Sequence, residues 1–170
     1  MIHLYLIRHA IAHERDPARW RDDRRRPLTP EGAEKFRRGA AGLAHLVGTV
    51  DRLLTSPLVR ARETAGLLHT VAGWPEPVEH AALSPGRTVA QVLAVLREQL
   101  ADSIALVGHE PGLSRLLGVC IAGPDARLAC RFRKGGVACL SFRAIPRAGQ
   151  ATLEWLATPK LLRTLGGLLR

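Results

Sequence analysis

The sequence predicts an α/β protein, a three-layer α/β/α sandwich whose central sheet is mostly parallel with an antiparallel edge. Three observations carry that expectation. Short apolar runs alternate with amphipathic helical patterns along most of the 170 residues. The first run, residues 2–8, is almost continuously apolar, as expected of a strand covered on both faces. Near the end, two strand-like runs follow one another with only a turn between them, which predicts an antiparallel hairpin.

Each element has its own signal. After the first strand and an irregular charged stretch, Thr29 is placed to cap a helix and Pro30 to begin it. Ala33, Phe36, Ala40, Leu43 and Val47 then recur at helical spacing. Residues 51–55 form a second short strand, and Ser56-Pro57 repeats the cap-then-proline signal for a second helix with Leu58, Ala61, Ala65 and Leu68 inside. A brief strand is expected around Val78. From Thr88 to Leu100 an amphipathic helix carries Val89, Val92, Leu93, Leu96 and Leu100 on one side. Ile104 to Gly108 is a buried strand and Pro111 to Ile121 a helix. Val137 to Arg143 and Thr152 to Ala157 are the hairpin, turned at Pro146-Arg147-Ala148-Gly149. Lys160 to Arg170, with Leu161, Leu162, Leu165, Leu168 and Leu169, predicts a short helix packed on the body, where Gly166-Gly167 weakens it.

Composition narrows the class. With 46% hydrophobic and 24% charged residues, the chain is globular and not disordered, and it is expected to form one domain over residues 1–170. No apolar run reaches the ~18 residues of a membrane span. The opening segment lacks a signal peptide's basic leader and cleavage site, so the expected compartment is the cytoplasm. Cys120, Cys130 and Cys139 are odd in number and lack CxxC spacing, which argues against a disulfide framework or a zinc site. No metal or other cofactor is expected. The net charge of +10 favours an anionic partner. Apart from Lys35, Lys134 and Lys160 the cations are arginines, and with three Trp, three Phe and one Tyr there is no evident stacking platform. Neither nucleic acid nor a membrane is expected as partner.

Ligands of such sheets gather at the carboxyl ends of the strands. There the sequence places Arg8-His9, then Ser56-Pro57 followed by Arg60, then His109-Glu110-Pro111. Arg60 and Arg62 break the preference of a helix start for acidic residues. A bound anion would relieve that conflict, since backbone N–H groups and guanidinium forks both suit phosphate.

These residues carry a resemblance. Leu6-Ile7-Arg8-His9-Ala10 resembles the Arg-His-Gly signature of the histidine phosphatase superfamily. Ser56 to Ala65 resembles its Ser-Pro-x-x-Arg-Ala-x-x-Thr-Ala segment, and Val107 to Pro111 its second histidine motif. Arg26-Pro27-Leu28-Thr29-Pro30-Glu31-Gly32 is similar to an element of the short, SixA-type phosphohistidine phosphatases. The resemblance implies a phosphoglycerate mutase-like fold and a metal-independent phosphatase. His9 would be the nucleophile that carries a covalent phosphoryl group, with Arg8, Arg60 and His109 clamping its oxygens. Arg26 is implied as a further phosphate ligand.

Two departures matter. Ala10 stands where the family has glycine, which questions the backbone there. Many relatives also place a carboxylic acid after the strand that follows the second helix, whereas here Glu79 falls within that strand and nothing acidic follows until Asp102. Imidazole leaves more readily than an alkoxide. The expected substrate is therefore phosphohistidine in a protein, with Glu14 and Glu110 as remaining candidate acids. Alternatives are a phosphatase or mutase acting on a small acidic phosphate compound, or a basic non-catalytic binder of nucleic acid or polyphosphate. The segment from Arg15 to Arg26 reads either as a solvated, partly self-paired loop or as an electropositive lip beside the site.

Overall fold

The computed structural model describes residues 1–168. Six strands form one sheet: β1 (Ile2–Arg8), β2 (Arg52–Thr55), β3 (Val78–Glu79), β4 (Ser103–Gly108), β5 (Val137–Phe142) and β6 (Ala151–Ala157). Their spatial order is β3-β2-β4-β1-β5-β6. The first four in that order run parallel, and the hairpin joins through antiparallel β1–β5 and β5–β6 pairs. Among the described residues five α-helices cover it: α1 (Pro30–Val47), α2 (Val59–Ala72), α3 (Val89–Glu98), α4 (Gly112–Ala122) and α5 (Pro159–Gly167).

Strand alternation divides the apolar residues into two cores. Tyr5 and Ile7 of β1 face α1, α2 and α5, packing with Phe36, Leu43, Leu68 and Leu162. Leu4 and Leu6 face the other way, toward Leu93, Leu96, Leu113 and Leu117 of α3 and α4. The sheet is thus clad on both sides, which is the predicted three-layer sandwich. Among the described residues no helix is long and apolar enough to cross a membrane.

The local predictions succeed where a cap is explicit. Thr29 accepts from Gly32 N–H and Pro30 begins α1, while Thr88 and Gln91 form a reciprocal capping box on α3. They fail at two helix ends. Helix α2 starts at Val59, after Leu58 and not at Ser56-Pro57, because the Ser56 hydroxyl is engaged in a turn and with a histidine. Helix α3 stops at Glu98, so Leu100 is 94% exposed, and Val95 joins the buried side instead.

The last helix packs on α1, as predicted, but its glycine does more than weaken it. A Cβ on Gly166 would strike the Arg38 carbonyl oxygen of α1, and one on Gly42 would strike the Leu162 carbonyl oxygen. Both glycines let the two backbones touch. Leu169 and Arg170, the end of the predicted tail helix, lie outside the described residues.

Gly42→Ala is therefore expected to push α5 off α1. It should destabilise the protein by about 1–3 kcal/mol, the usual cost of overpacking, read as a lower urea midpoint.

Candidate functional site

Sheet register builds the site. Arg8 lies opposite Gly108, and Thr55 opposite Val107, so β1, β2 and β4 end level with one another. The next residues, His9, Ser56 and His109, therefore meet at one rim. Their backbones are joined as well: His9 N–H donates to the Gly108 carbonyl at 3.1 Å and Ser56 N–H to the Val107 carbonyl at 3.0 Å. The two imidazoles stand 5.1 Å apart between ring centres, and each is only 6% exposed.

His9 is oriented by its own neighbour. Its Nδ1 lies 2.7 Å from the Ala10 carbonyl oxygen. A carbonyl only accepts, so Nδ1 carries the proton and Nε2 keeps a free lone pair. Ala10 N–H in turn donates to Thr64 Oγ1 at 3.0 Å, and that hydroxyl donates to the Arg60 carbonyl at 2.7 Å. Thr64 thus ties the turn after β1 to α2. Among the described residues no residue other than glycine has positive φ, so Ala10 fits this turn unstrained, with its methyl group in the core.

His109 is held from the other side. Its Nε2 is 2.9 Å from Ser56 Oγ, and that oxygen already accepts from Leu58 N–H at 3.3 Å. The hydroxyl hydrogen is then free to point at Nε2, which leaves the proton of a neutral imidazole on Nδ1. That Nδ1 is buried and has no partner.

Three arginines complete the rim, and each is anchored by a main-chain carbonyl. Arg8 Nη1 donates to Phe132 at 2.6 Å, Arg26 Nη1 to His13 at 2.6 Å, and Arg60 Nη1 to Asp23 at 2.9 Å. Arg60 is 5% exposed. The Nε atoms of Arg8 and Arg60, like His109 Nδ1, are buried without a hydrogen-bond partner. Unpaired buried donors are costly and call for an acceptor.

Burial and the surrounding cations act together on the histidines. Desolvation first, then the charges of Arg60, Arg8 and Lys134, push His9 down to about 3, against a hydrogen bond to Ala10 that acts the other way. His109 is likewise pushed down to about 3, by burial foremost and then by His9, Arg60 and Arg8. Both rings are neutral at pH 7.

All five residues singled out from the sequence, Arg8, His9, Arg26, Arg60 and His109, are gathered here. Sequence reasoning missed four others. Ser56 reads as a helix cap, Thr64 only as part of a motif, and Asp23 only as one position in the Arg15–Arg26 segment. Lys134 follows a stretch without periodicity and reaches the rim because β5 begins beside the end of β1. Gly135, with φ of 79°, turns the chain there, and its N–H meets the Arg8 and His9 carbonyls.

The candidate acids are elsewhere engaged or exposed. Glu110 accepts from Ser114 N–H at 3.1 Å, Ser114 Oγ at 2.6 Å and Phe132 N–H at 3.3 Å. Glu79 pairs with Arg62 at 3.2 Å on the surface, and Glu14 is exposed. Beside His109 a cavity of about 390 Å³ opens between residues 82–92 and the start of α4, with Leu83, Pro85 and Leu113 in its wall and Arg87 and Arg115 among its polar groups. Among the described residues no three His, Cys, Asp or Glu side chains converge on a point where they would hold a metal ion. The three cysteines are free thiols.

The histidines give a stability signature. Unfolded, each titrates near 6.5; folded, near 3. Between those values the unfolded chain binds more protons, so stability rises with pH. Urea midpoints are expected to climb from pH 3 to about 6.5, and this climb should flatten in a His9→Gln variant.

A family model described as the histidine phosphatase superfamily (branch 1) matches residues 4–85. An uncharacterized protein of Picosynechococcus is 38% identical over 113 residues, which cover 65% of this chain and 67% of that protein. The protein histidine phosphatase SixA, complexed with tungstate, superposes with a TM-score of 0.80 at 23% identity, over 94% of this chain and 98% of that one. A phosphoserine phosphatase from Entamoeba histolytica, in complex with 3-phosphoglyceric acid, superposes with a TM-score of 0.65 at 18% identity, over 95% and 100%. At these identities the two superpositions establish the shared fold.

Proposed function

The chain belongs to the histidine phosphatase superfamily, and from that premise we propose that it hydrolyses phosphohistidine in a protein substrate through a covalent intermediate on His9. The observation that carries the reading is a neutral, buried imidazole with Nδ1 pinned and Nε2 free, surrounded by unpaired donors of Arg8, Arg60 and His109.

On this reading His9 Nε2 attacks phosphorus while Arg8, Arg60 and His109 hold the equatorial oxygens, with Arg26 behind them. Phosphoryl transfer passes through a loose transition state, so alignment and charge stabilisation matter more than covalent assistance. The bond from phosphorus to the substrate imidazole breaks as the bond to His9 forms. A substrate ring protonated on its other nitrogen departs as neutral imidazole and needs no acid from the enzyme. Water then displaces His9 from phosphorus, releasing inorganic phosphate and restoring the free lone pair. No metal is required by any of these steps.

The choice of substrate rests on the acids. Glu110 is occupied as an acceptor, Glu79 is paired on the surface, and Glu14 is exposed. The likeness to a phosphoserine phosphatase supports a second reading, a phosphomonoesterase for a small acidic compound. Side-by-side turnover separates the two. Phosphate release is expected to be faster from a phosphohistidine peptide than from phosphoserine or phosphoglycerate, and the reverse order overturns the substrate assignment. Arg60→Ala and His109→Ala should each lose on the order of 3–4 kcal/mol of transition-state stabilisation in kcat/KM. His9→Ala should yield no acid-labile phosphoenzyme when peptides are mapped by mass spectrometry.

Ser56 supplies a separate test. Ser56→Ala removes the bond that fixes the His109 tautomer, and it should lower kcat about tenfold, as the loss of one hydrogen bond implies.

A further inference from the structure

Asp23 stands between two of the proposed phosphate ligands. It opens a short 3-10 turn, Asp23–Arg25, inside the arginine-rich loop. Its Oδ1 accepts from Arg26 Nε at 2.8 Å, and its Oδ2 lies 3.2 Å from Arg60 Nη2. Its own carbonyl accepts from Arg60 Nη1 at 2.9 Å. Among the described residues, no other acidic side chain forms an ion pair with any of the rim arginines Arg8, Arg26 and Arg60.

We propose that Asp23 is a positioning residue of the phosphatase, fastening Arg26 and Arg60 to each other so that their free N–H groups face the phosphoryl group. This rests on the function proposed above. Arg60 donates through Nη1 to the Asp23 carbonyl and pairs through Nη2 with its carboxylate, so its fork is gripped along one edge and its Nε edge is left toward the buried hollow. The same carboxylate uses its second oxygen on Arg26. One anion bridging two guanidiniums also offsets part of the repulsion among Arg8, Arg26, Arg60 and Lys134. An amide in its place has one acceptor oxygen and would turn its NH2 toward a guanidinium, so it cannot span both.

A competing role is that of an anion stand-in, a carboxylate that blocks Arg60 until phosphate displaces it. The two roles predict opposite rates. Removing a positioning group lowers kcat, whereas removing a blocking group raises it or leaves it unchanged.

The test compares Asp23→Asn with Asp22→Asn. Asp22 caps the same turn by accepting from Arg24 N–H at 2.9 Å and forms no ion pair with any rim arginine. Each variant is assayed for kcat and KM on the preferred substrate, for inorganic phosphate binding by calorimetry, and for its urea midpoint. Asp23→Asn is expected to lose roughly 10- to 100-fold in kcat, the scale of a small misplacement of reacting groups. Its affinity for inorganic phosphate should be no weaker than wild type, because the hollow gains net positive charge. Asp22→Asn should keep the wild-type kcat. Equal or higher kcat in Asp23→Asn overturns the proposal, as does an equal loss in Asp22→Asn, which would trace the effect to the loop fold. A wild-type protein that turns over no phosphate compound rejects the phosphatase reading and this role together. An active wild type matched by Asp23→Asn rejects the role alone.

Discussion

Keeping imidazole uncharged inside a ring of cations is the constraint on which this site depends. A histidine in water near neutrality spends part of its time protonated, and a protonated ring has no lone pair for phosphorus. Here two forces act in the same direction. Burial penalises the imidazolium, and Arg8 and Arg60 penalise it again. On the proposed reading, the same charges that would hold an anion also keep His9 available as the nucleophile before it arrives. The cost is repulsion among the cations themselves. It is met locally, by a main-chain carbonyl for each arginine and by one shared carboxylate on Arg26 and Arg60.

The sheet contributes alignment. Parallel strands in register end at one level, so the residue after each strand projects into the same hollow. No single element could do this, because His9, Ser56 and His109 follow three different strands, roughly 50 residues from one to the next along the chain. The antiparallel entry of β5 brings a loop to the same rim from the opposite direction, with Lys134 in it. The Phe132 carbonyl of that loop holds Arg8, and Glu110 holds the Phe132 amide. The strand carrying the second histidine is thereby linked to the first arginine.

What could be read from the sequence follows from how local each cause is. Thr29-Pro30 and Thr88 act within one turn of chain, so their helix starts were legible. Arg8, His9 and His109 sit at strand ends that apolar patterning already marked, Arg60 lies in the first turn of the helix after β2, and Arg26 lies in a short motif. Ser56 was misjudged because a serine before proline has the same local appearance whether it caps a helix or turns its hydroxyl to a histidine 53 residues away. Asp23 lies in the segment read as a partly self-paired loop, and it pairs there with Arg26. Its second partner, Arg60, is 37 residues distant. Leu100 fits the helical period on paper, yet α3 ends at Glu98, before that residue could be turned inward.

Glu110 shows how a residue type can mislead about role. Placed directly after the second histidine, it is a candidate proton donor to a leaving group. Its two oxygens, however, accept three hydrogen bonds, from Ser114 twice and from Phe132. A carboxyl group that delivers its proton must free an oxygen and aim it at the substrate; freeing Oε2 would give up the Ser114 N–H, and freeing Oε1 the Ser114 hydroxyl and the Phe132 amide in the segment that anchors Arg8. On the proposed reading, a leaving group that brings its own proton spares these bonds. Imidazole is such a group and an alkoxide is not. On the proposed reading, the structural duty of Glu110 and the preference for phosphohistidine are one constraint seen from two sides.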